Sequence, residues 1–269
     1  MITAFTILKN EVGGIGYSIM SILDYVDELV YADGGSTDGT IELIEHIKEK
    51  YDKDNKIKLF KNKDCKNLRG DYTRLFNWVL KQCTSDYVMF WHADMVMTNP
   101  EMFKNINGSA IRYYVGMKSF VADGKKYFSK GRRDKWAVIY KNDYGLHQYG
   151  NYGDVHEDFY FKDITGDEHI IHFLNRELNY EIKDSGLNVH HYCESKDYDR
   201  RLDKMVKSAI NSNPNMNRDT AIRMVKLHPR VTLKSGTFKG FEYEIKPYKG
   251  KQSDVFKKYA YFKEFRREN

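Results

Sequence analysis

The chain has 269 residues, of which 41% are hydrophobic and 30% charged, a balance that suits a soluble globular protein with a sizeable core. No run of roughly 18 apolar residues occurs, which excludes a membrane-spanning helix. The formal charge of +6 is uneven, with basic residues crowded into 118–135 and again into 226–267; such fields attract nucleotide phosphates, anionic membrane surfaces or nucleic acid. Cys65, Cys83 and Cys193 form no CxxC pair, and the odd count argues against a disulfide framework. The N-terminus lacks the basic start and long apolar segment of a signal peptide. The expectation is a cytoplasmic protein, with any membrane contact peripheral.

Residues 4–8 are an apolar run that reads as a buried strand, and Ile19, Ile22 and Leu23 recur at helical spacing within 16–25. A second strand covers 28–32. Thr37 or Asp38 then caps a helix whose apolar side carries Ile41, Ile44 and Ile47. Residues 57–60 form a third strand, 68–83 a helix with Leu75, Phe76, Val79 and Leu80, and 86–91 a fourth strand ending in His92-Ala93-Asp94. This alternation predicts a parallel sheet with helices on both faces. Ligands of such sheets sit beyond the carboxyl ends of the strands. The polar clusters Asn10-Glu11, Asp33-Gly34-Gly35, Asn62-Lys63-Asp64 and His92-Ala93-Asp94 all fall there.

Beyond Pro100 the pattern changes. Strands are expected at 110–114 and 136–140, a charged amphipathic helix at 199–210, a turn-rich break at 211–217 and a short helix at 220–227. A basic, aromatic tail follows Pro229. We divide one continuous domain into a nucleotide-binding half (1–100), an acceptor half (101–228) and a C-terminal extension (229–269).

The stretch YADGGSTDGT (31–40) puts two acids, three glycines and three Ser/Thr hydroxyls where a strand meets a helix. Glycines there let backbone approach a ligand, and the helix start offers free N–H groups to an anion. The chain has no GxxxxGK[ST], and Gly13, Gly14 and Gly16 have the wrong spacing for GxGxxG. Asp33 stands where a carboxylate can accept from a ring or ribose donor, while Asp38 fits a helix cap.

The order ILKNE, VYADGGSTDGT, FWHADMV resembles the nucleotide-binding half of glycosyltransferase family 2 over residues 3–97. A fainter likeness continues through Val155-His156-Glu157-Asp158 and His190-His191-Tyr192, similar to bacterial members that glycosylate surface saccharides. The resemblance implies the GT-A fold: a Rossmann-like, mostly parallel central sheet flanked by helices, with an acceptor-binding second half. It implies that Asp33 contacts the base of a nucleotide-diphosphate sugar (a UDP-sugar by preference), that Glu11 lies close to the nucleoside, and that Asp64 and Arg69 flank base and ribose. Asp94, the last acid of the family's Asp-x-Asp, is implied as the ligand of a divalent metal, Mn²⁺ or Mg²⁺, that bridges the diphosphate. The first acid of that motif is His92 here. His190 or His191 completes the metal site by the same likeness, and imidazole tilts the choice toward Mn²⁺. Glu157 or Asp158 is implied as general base. The implied reaction transfers the sugar, with inversion, to a saccharide or lipid-linked saccharide.

Each residue also has a structural reading. Asp33 and Asp38 can order a turn, Asp94 can be a turn acid, and either histidine can be a satisfied core residue. His190 and His191 are adjacent, so in an extended segment they face opposite ways and only one reaches the cleft. The basic stretch Lys125, Lys126, Lys130, Arg132 and Arg133 is a solvated surface, a loop closing over the diphosphate, or a contact to a charged acceptor. Two further functions stay open: a transferase acting on modified nucleic-acid bases through the tail's rings, and a non-catalytic nucleotide-sugar-binding module.

Overall fold

The computed structural model describes residues 1–61, 72–108, 110–121, 124–130, 135–142, 147–148, 159–162, 168–170, 181–194, 198–213, 215–238 and 240–266. In the first block β1 (Ile2–Leu8), α1 (Ile15–Met20), β2 (Glu28–Asp33), α2 (Thr40–Tyr51), β3 (Ile57–Phe60), α3 (Tyr72–Leu80) and β4 (Tyr87–Phe90) alternate as the spacing predicts. β5 (Met95–Met97), a 3-10 turn over Pro100–Asn105, and the strands β6 (Arg112–Val121), β7 (Lys126–Lys130) and β8 (Lys135–Lys141) follow. Next come β9 (His147–Gln148), β10 (Phe159–Lys162) and β11 (Glu168–Ile170), then the long β12 (Ile182–Glu194). The chain continues with α4 (Tyr198–Ser212), α5 (Arg218–Lys226), α6 (Pro229–Thr232) and the hairpin strands β13 (Gly236–Phe238) and β14 (Phe241–Pro247). It closes with α7 (Val255–Lys258) and a 3-10 turn over Ala260–Phe265.

The main sheet runs β13-β14-β7-β6-β8-β4-β1-β2-β3, and β12 joins β5 to β6. Pairing is parallel through β4, β1, β2 and β3, as βαβ crossovers require. It turns antiparallel where β8, β6, β7 and β14 are joined. β9, β10 and β11 form a separate antiparallel sheet. Two cores cover the parallel part. Ile15, Ile19, Leu43, Ile44 and Ile47 pack from α1 and α2 on one face, and Leu75, Phe76 and Val79 pack from α3 on the other. Burial on both faces explains strands that are apolar throughout.

Two boundaries differ from the sequence expectation. α1 ends at Met20, past which the Ser21 hydroxyl donates to the Ser18 carbonyl at 2.8 Å and the Ile22 N–H to the Ile19 carbonyl at 3.0 Å, and Ile22 and Leu23 are buried in the turn that follows. β6 runs on to Val121 and is sandwiched between β12 and β8. The long strand β12 is paired along both edges, and its side chains alternate in burial over 184–189. α4 and α5 occur where expected, and the Asn217 side chain caps α5 by accepting the Thr220 N–H at 2.9 Å. Among the described residues no helix is long and apolar enough to cross a membrane.

Candidate active site

The parallel register of β1 and β2 sets Leu8 opposite Asp33, so the loops after both strands emerge side by side. Side chains stitch these loops together. The buried Asp33 carboxylate accepts the N–H groups of Gly35 at 2.9 Å and Ser36 at 3.0 Å, closing the turn on itself. Asn10, in the left-handed region at φ 57°, accepts the Thr37 N–H at 2.8 Å and donates its own N–H to the Ser36 hydroxyl at 2.8 Å. The Glu11 N–H donates to the Thr40 hydroxyl at 2.8 Å. Asp38 accepts the N–H groups of Val12 at 3.2 Å and Thr40 at 3.1 Å, together with the Thr40 hydroxyl. The acids and hydroxyls of the motif therefore cross-link two strand ends. Gly39, rather than Thr37 or Asp38, occupies the N-cap of α2, and Asp38 ties the helix start to the first loop instead.

The second cluster forms where β4 runs into β5. Ser18 of α1 donates its hydroxyl to the His92 carbonyl at 3.0 Å, which seats this connection against the first helix. β5 pairs with β12, placing Met95 opposite His191. The Asp94 carbonyl accepts the Tyr192 N–H at 2.8 Å. Asp94 Oδ1 then stands 3.2 Å from His191 Nε2, with both side chains only 11–13% exposed. The His92 ring stacks on Trp136 at 5.1 Å and lies 6.1 Å from the His191 ring. Trp136 also flanks His191, at 6.3 Å. Nothing in the sequence spacing singled out Trp136; pairing of β8 with β6 carries it there.

His190 leaves the other face of β12. It packs on Phe120 at 4.6 Å, and its Nε2 lies 3.3 Å from the Tyr248 hydroxyl. Burial, followed by the Lys118 ammonium, pulls its pKa down to about 4, so it is neutral at pH 7. A cavity of about 290 Å³ lies on this side, lined by residues that include Thr98, Lys118, Asn188 and Tyr248. It includes neither Asp94 nor Asp33 and is separate from the loop cluster.

Asp94 Oδ1 and His191 Nε2 fit a divalent ion. Two neighbouring ligands of an octahedral cation at roughly 2.1 Å stand roughly 3 Å apart, close to the observed 3.2 Å. Among the described residues no group of three His, Cys, Asp or Glu side chains converges, so such an ion would draw its other ligands from water and substrate oxygens, as Mg²⁺ and Mn²⁺ commonly do at phosphates. Asp64, Arg69, Arg132, Arg133, Glu157 and Asp158 lie outside the described residues. Lys126 and Lys130 sit on β7, where Lys130 pairs with Glu242 of β14.

A family model, "Glycosyl transferase family 2", matches residues 3–163. Among solved structures, TarS 1-349 from S. aureus is 18% identical over 52% of this chain and 47% of its own, with a TM-score of 0.39. The same protein in complex with UDP-GlcNAc is 14% identical over 82% of this chain and 69% of its own, with a TM-score of 0.47. Glucosyl-3-phosphoglycerate synthase from Mycobacterium tuberculosis, in complex with Mn²⁺ and UDP-glucose, is 21% identical over 44% and 43%, with a TM-score of 0.34. The chain spans about half the length of the first solved structures it matches. None of the curated proteins compared matches it. With more than half of its residues matched by the family model, the chain belongs to glycosyl transferase family 2.

Proposed function

We propose that the protein transfers a sugar from a nucleotide-diphosphate sugar, by preference a UDP-sugar, to a hydroxyl of a saccharide or lipid-linked saccharide. The observation that carries this reading is the Asp94–His191 pair, 3.2 Å apart at the end of β4. It joins the cross-linked loops after β1 and β2 at one end of a parallel sheet, where ligands of such sheets bind. Residues 1–100 are the donor half, 101–228 the acceptor half and 229–269 an extension.

In this reading Asp33 and Glu11 face the nucleoside, with Asp64 and Arg69 beside them. Asp33 keeps acceptor capacity after closing its own turn, because a carboxylate offers about four lone-pair sites. Asp94 and His191 would hold Mn²⁺ or Mg²⁺, which offsets the charge of the departing diphosphate. The stacked Trp136 and His92 rings wall the pair on one side. Glu157 or Asp158 takes the proton of the acceptor hydroxyl as that oxygen attacks the anomeric carbon. The bond to the diphosphate breaks in the same displacement, which inverts the centre. The basic strands would meet an anionic acceptor or membrane surface.

The test is a screen of UDP-, GDP- and TDP-sugars with Mn²⁺, with Mg²⁺ and with chelator, reading release of nucleoside diphosphate. Release that needs metal and falls roughly 100-fold or more in Asp94→Ala, with a similar loss in His191→Ala, is the expected result. His190→Ala should keep metal dependence. A chain that binds no nucleotide-sugar with or without metal sinks the proposal.

A further inference from the structure

The C-terminal segment reaches back across the molecule to the outer side of the donor loops. Phe262 is 1% exposed. Its ring lies over Gly16 of α1, where an added Cβ would stand 2.5 Å from Cδ2. The ring also packs 5.8 Å from Tyr17 and stacks on Tyr259 at 5.2 Å. The Tyr261 and Tyr51 hydroxyls share a hydrogen bond of 2.6 Å, which joins the tail to the end of α2. Phe265 sets its ring 5.0 Å from His46, also on α2.

The closest approach is at Gly39. This residue has φ 96°, and an added Cβ would stand 1.8 Å from the Phe265 carbonyl oxygen. Glycine is thus required twice over, by its left-handed backbone and by the tail pressed against it. Gly39 lies between Asp38 and Thr40, the two residues whose side chains hold the Val12 and Glu11 N–H groups. The tail's other end reaches the second cluster: Phe256 packs 4.8 Å from Tyr17 and 5.1 Å from Tyr192, the neighbour of His191. One segment therefore backs both the donor turn and the strand that presents His191.

We propose that the 3-10 turn Ala260–Phe265 is a brace that holds the donor loops in their binding geometry, with Phe265 as a positioning residue for the nucleotide-sugar. The proposal rests on the transferase reading for its consequence in catalysis, and on packing alone for its consequence in loop order. Phe265 touches no reacting group. Its ring on His46 anchors the carbonyl that abuts Gly39, and loss of that anchor frees the 34–40 turn without emptying the core, because Phe262 stays in place.

The full-length Phe265→Ala variant tests this, with Phe265→Leu as the conservative partner. Two readouts are needed: hydrogen exchange of the amides in 10–15 and 34–40 against those inside α2 and β4, and the split of donor KM from kcat. The expected result is exchange in the two loops faster by roughly tenfold while α2 and β4 hold, and a donor KM raised by roughly fivefold with kcat little changed. Phe265→Leu should recover most of both. Unchanged loop exchange overturns the brace, and so does acceleration spread equally through α2 and β4, which marks a merely structural residue. If the unmodified chain turns over no nucleotide-sugar, the transferase reading falls by that result alone, and the exchange comparison still decides whether the brace exists.

Discussion

Asp38 carries three interactions in a buried place, to Val12, to the Thr40 amide and to the Thr40 hydroxyl. Replacing it by alanine leaves two N–H groups without their acceptor, and an orphaned buried donor costs roughly 1–3 kcal/mol. Asp38→Ala should therefore lower unfolding stability by about 2–3 kcal/mol in a urea titration, with the same m-value. The local grammar of this turn was readable beforehand: a strand, then acids, glycines and hydroxyls, then an amphipathic helix. The role of each residue was not. Spacing alone makes Asp38 a helix cap, yet the residue in the N-cap position is Gly39, in the left-handed region and with the Phe265 carbonyl leaving no room for a side chain. The family resemblance implies a nucleotide contact for Asp33; the structure shows its carboxylate closing the Gly35–Ser36 turn. Such choices depend on atoms from distant parts of the chain, which a local pattern does not contain.

Strand β12 divides its two adjacent histidines between different environments. His191 meets Asp94, while His190 is buried among Phe120, Tyr192 and Tyr248 with Lys118 nearby. Alternation along a strand made the opposite facing legible; which histidine meets Asp94 followed from the antiparallel register of β5 with β12. The displaced titration of His190 has a measurable consequence. Its folded pKa, about 4, lies below the ordinary 6.5, so the unfolded chain takes up the proton first as pH falls. Its contribution is fully present above pH 6.5 and is lost between there and pH 4. The loss amounts to roughly 2–3 kcal/mol by the lower end of that window. Chemical denaturation at pH 7 and pH 4.5 should show it, and His190→Gln should flatten that part of the profile.

Over the whole molecule, the C-terminal extension belongs to the main core. Tyr259 and Phe262 are buried in it, and Tyr261, Phe256 and Phe265 pack on its edge. These rings are thereby engaged with α1 and α2 and do not form a free stacking surface. Phe262→Ala should cost about 3–5 kcal/mol, the usual loss for emptying a phenylalanine site in a core, read as a lower urea midpoint. An unchanged midpoint would mean that the tail is not part of the folded unit. The same chain end extends the sheet, since β14 pairs with β7 and β13 covers β14. Composition marked this region only as basic and aromatic, because rings that pack inward and rings that stay exposed have the same letters.

The βα alternation of the first hundred residues and the glycine-rich turn at its centre were legible because both are local, whereas the bonds that tie that turn to the loop after β1 span 26–29 residues. A helix or strand shows its buried face through the period of its own side chains, and a tight turn through the few residues that tolerate its dihedrals. The pairing of Asp94 with His191, the arrival of Trp136 beside them and the seating of Phe265 against Gly39 are contacts between segments far apart in the chain. They depend on which strands pair and in what register, and that follows from burying the whole set of apolar faces at once.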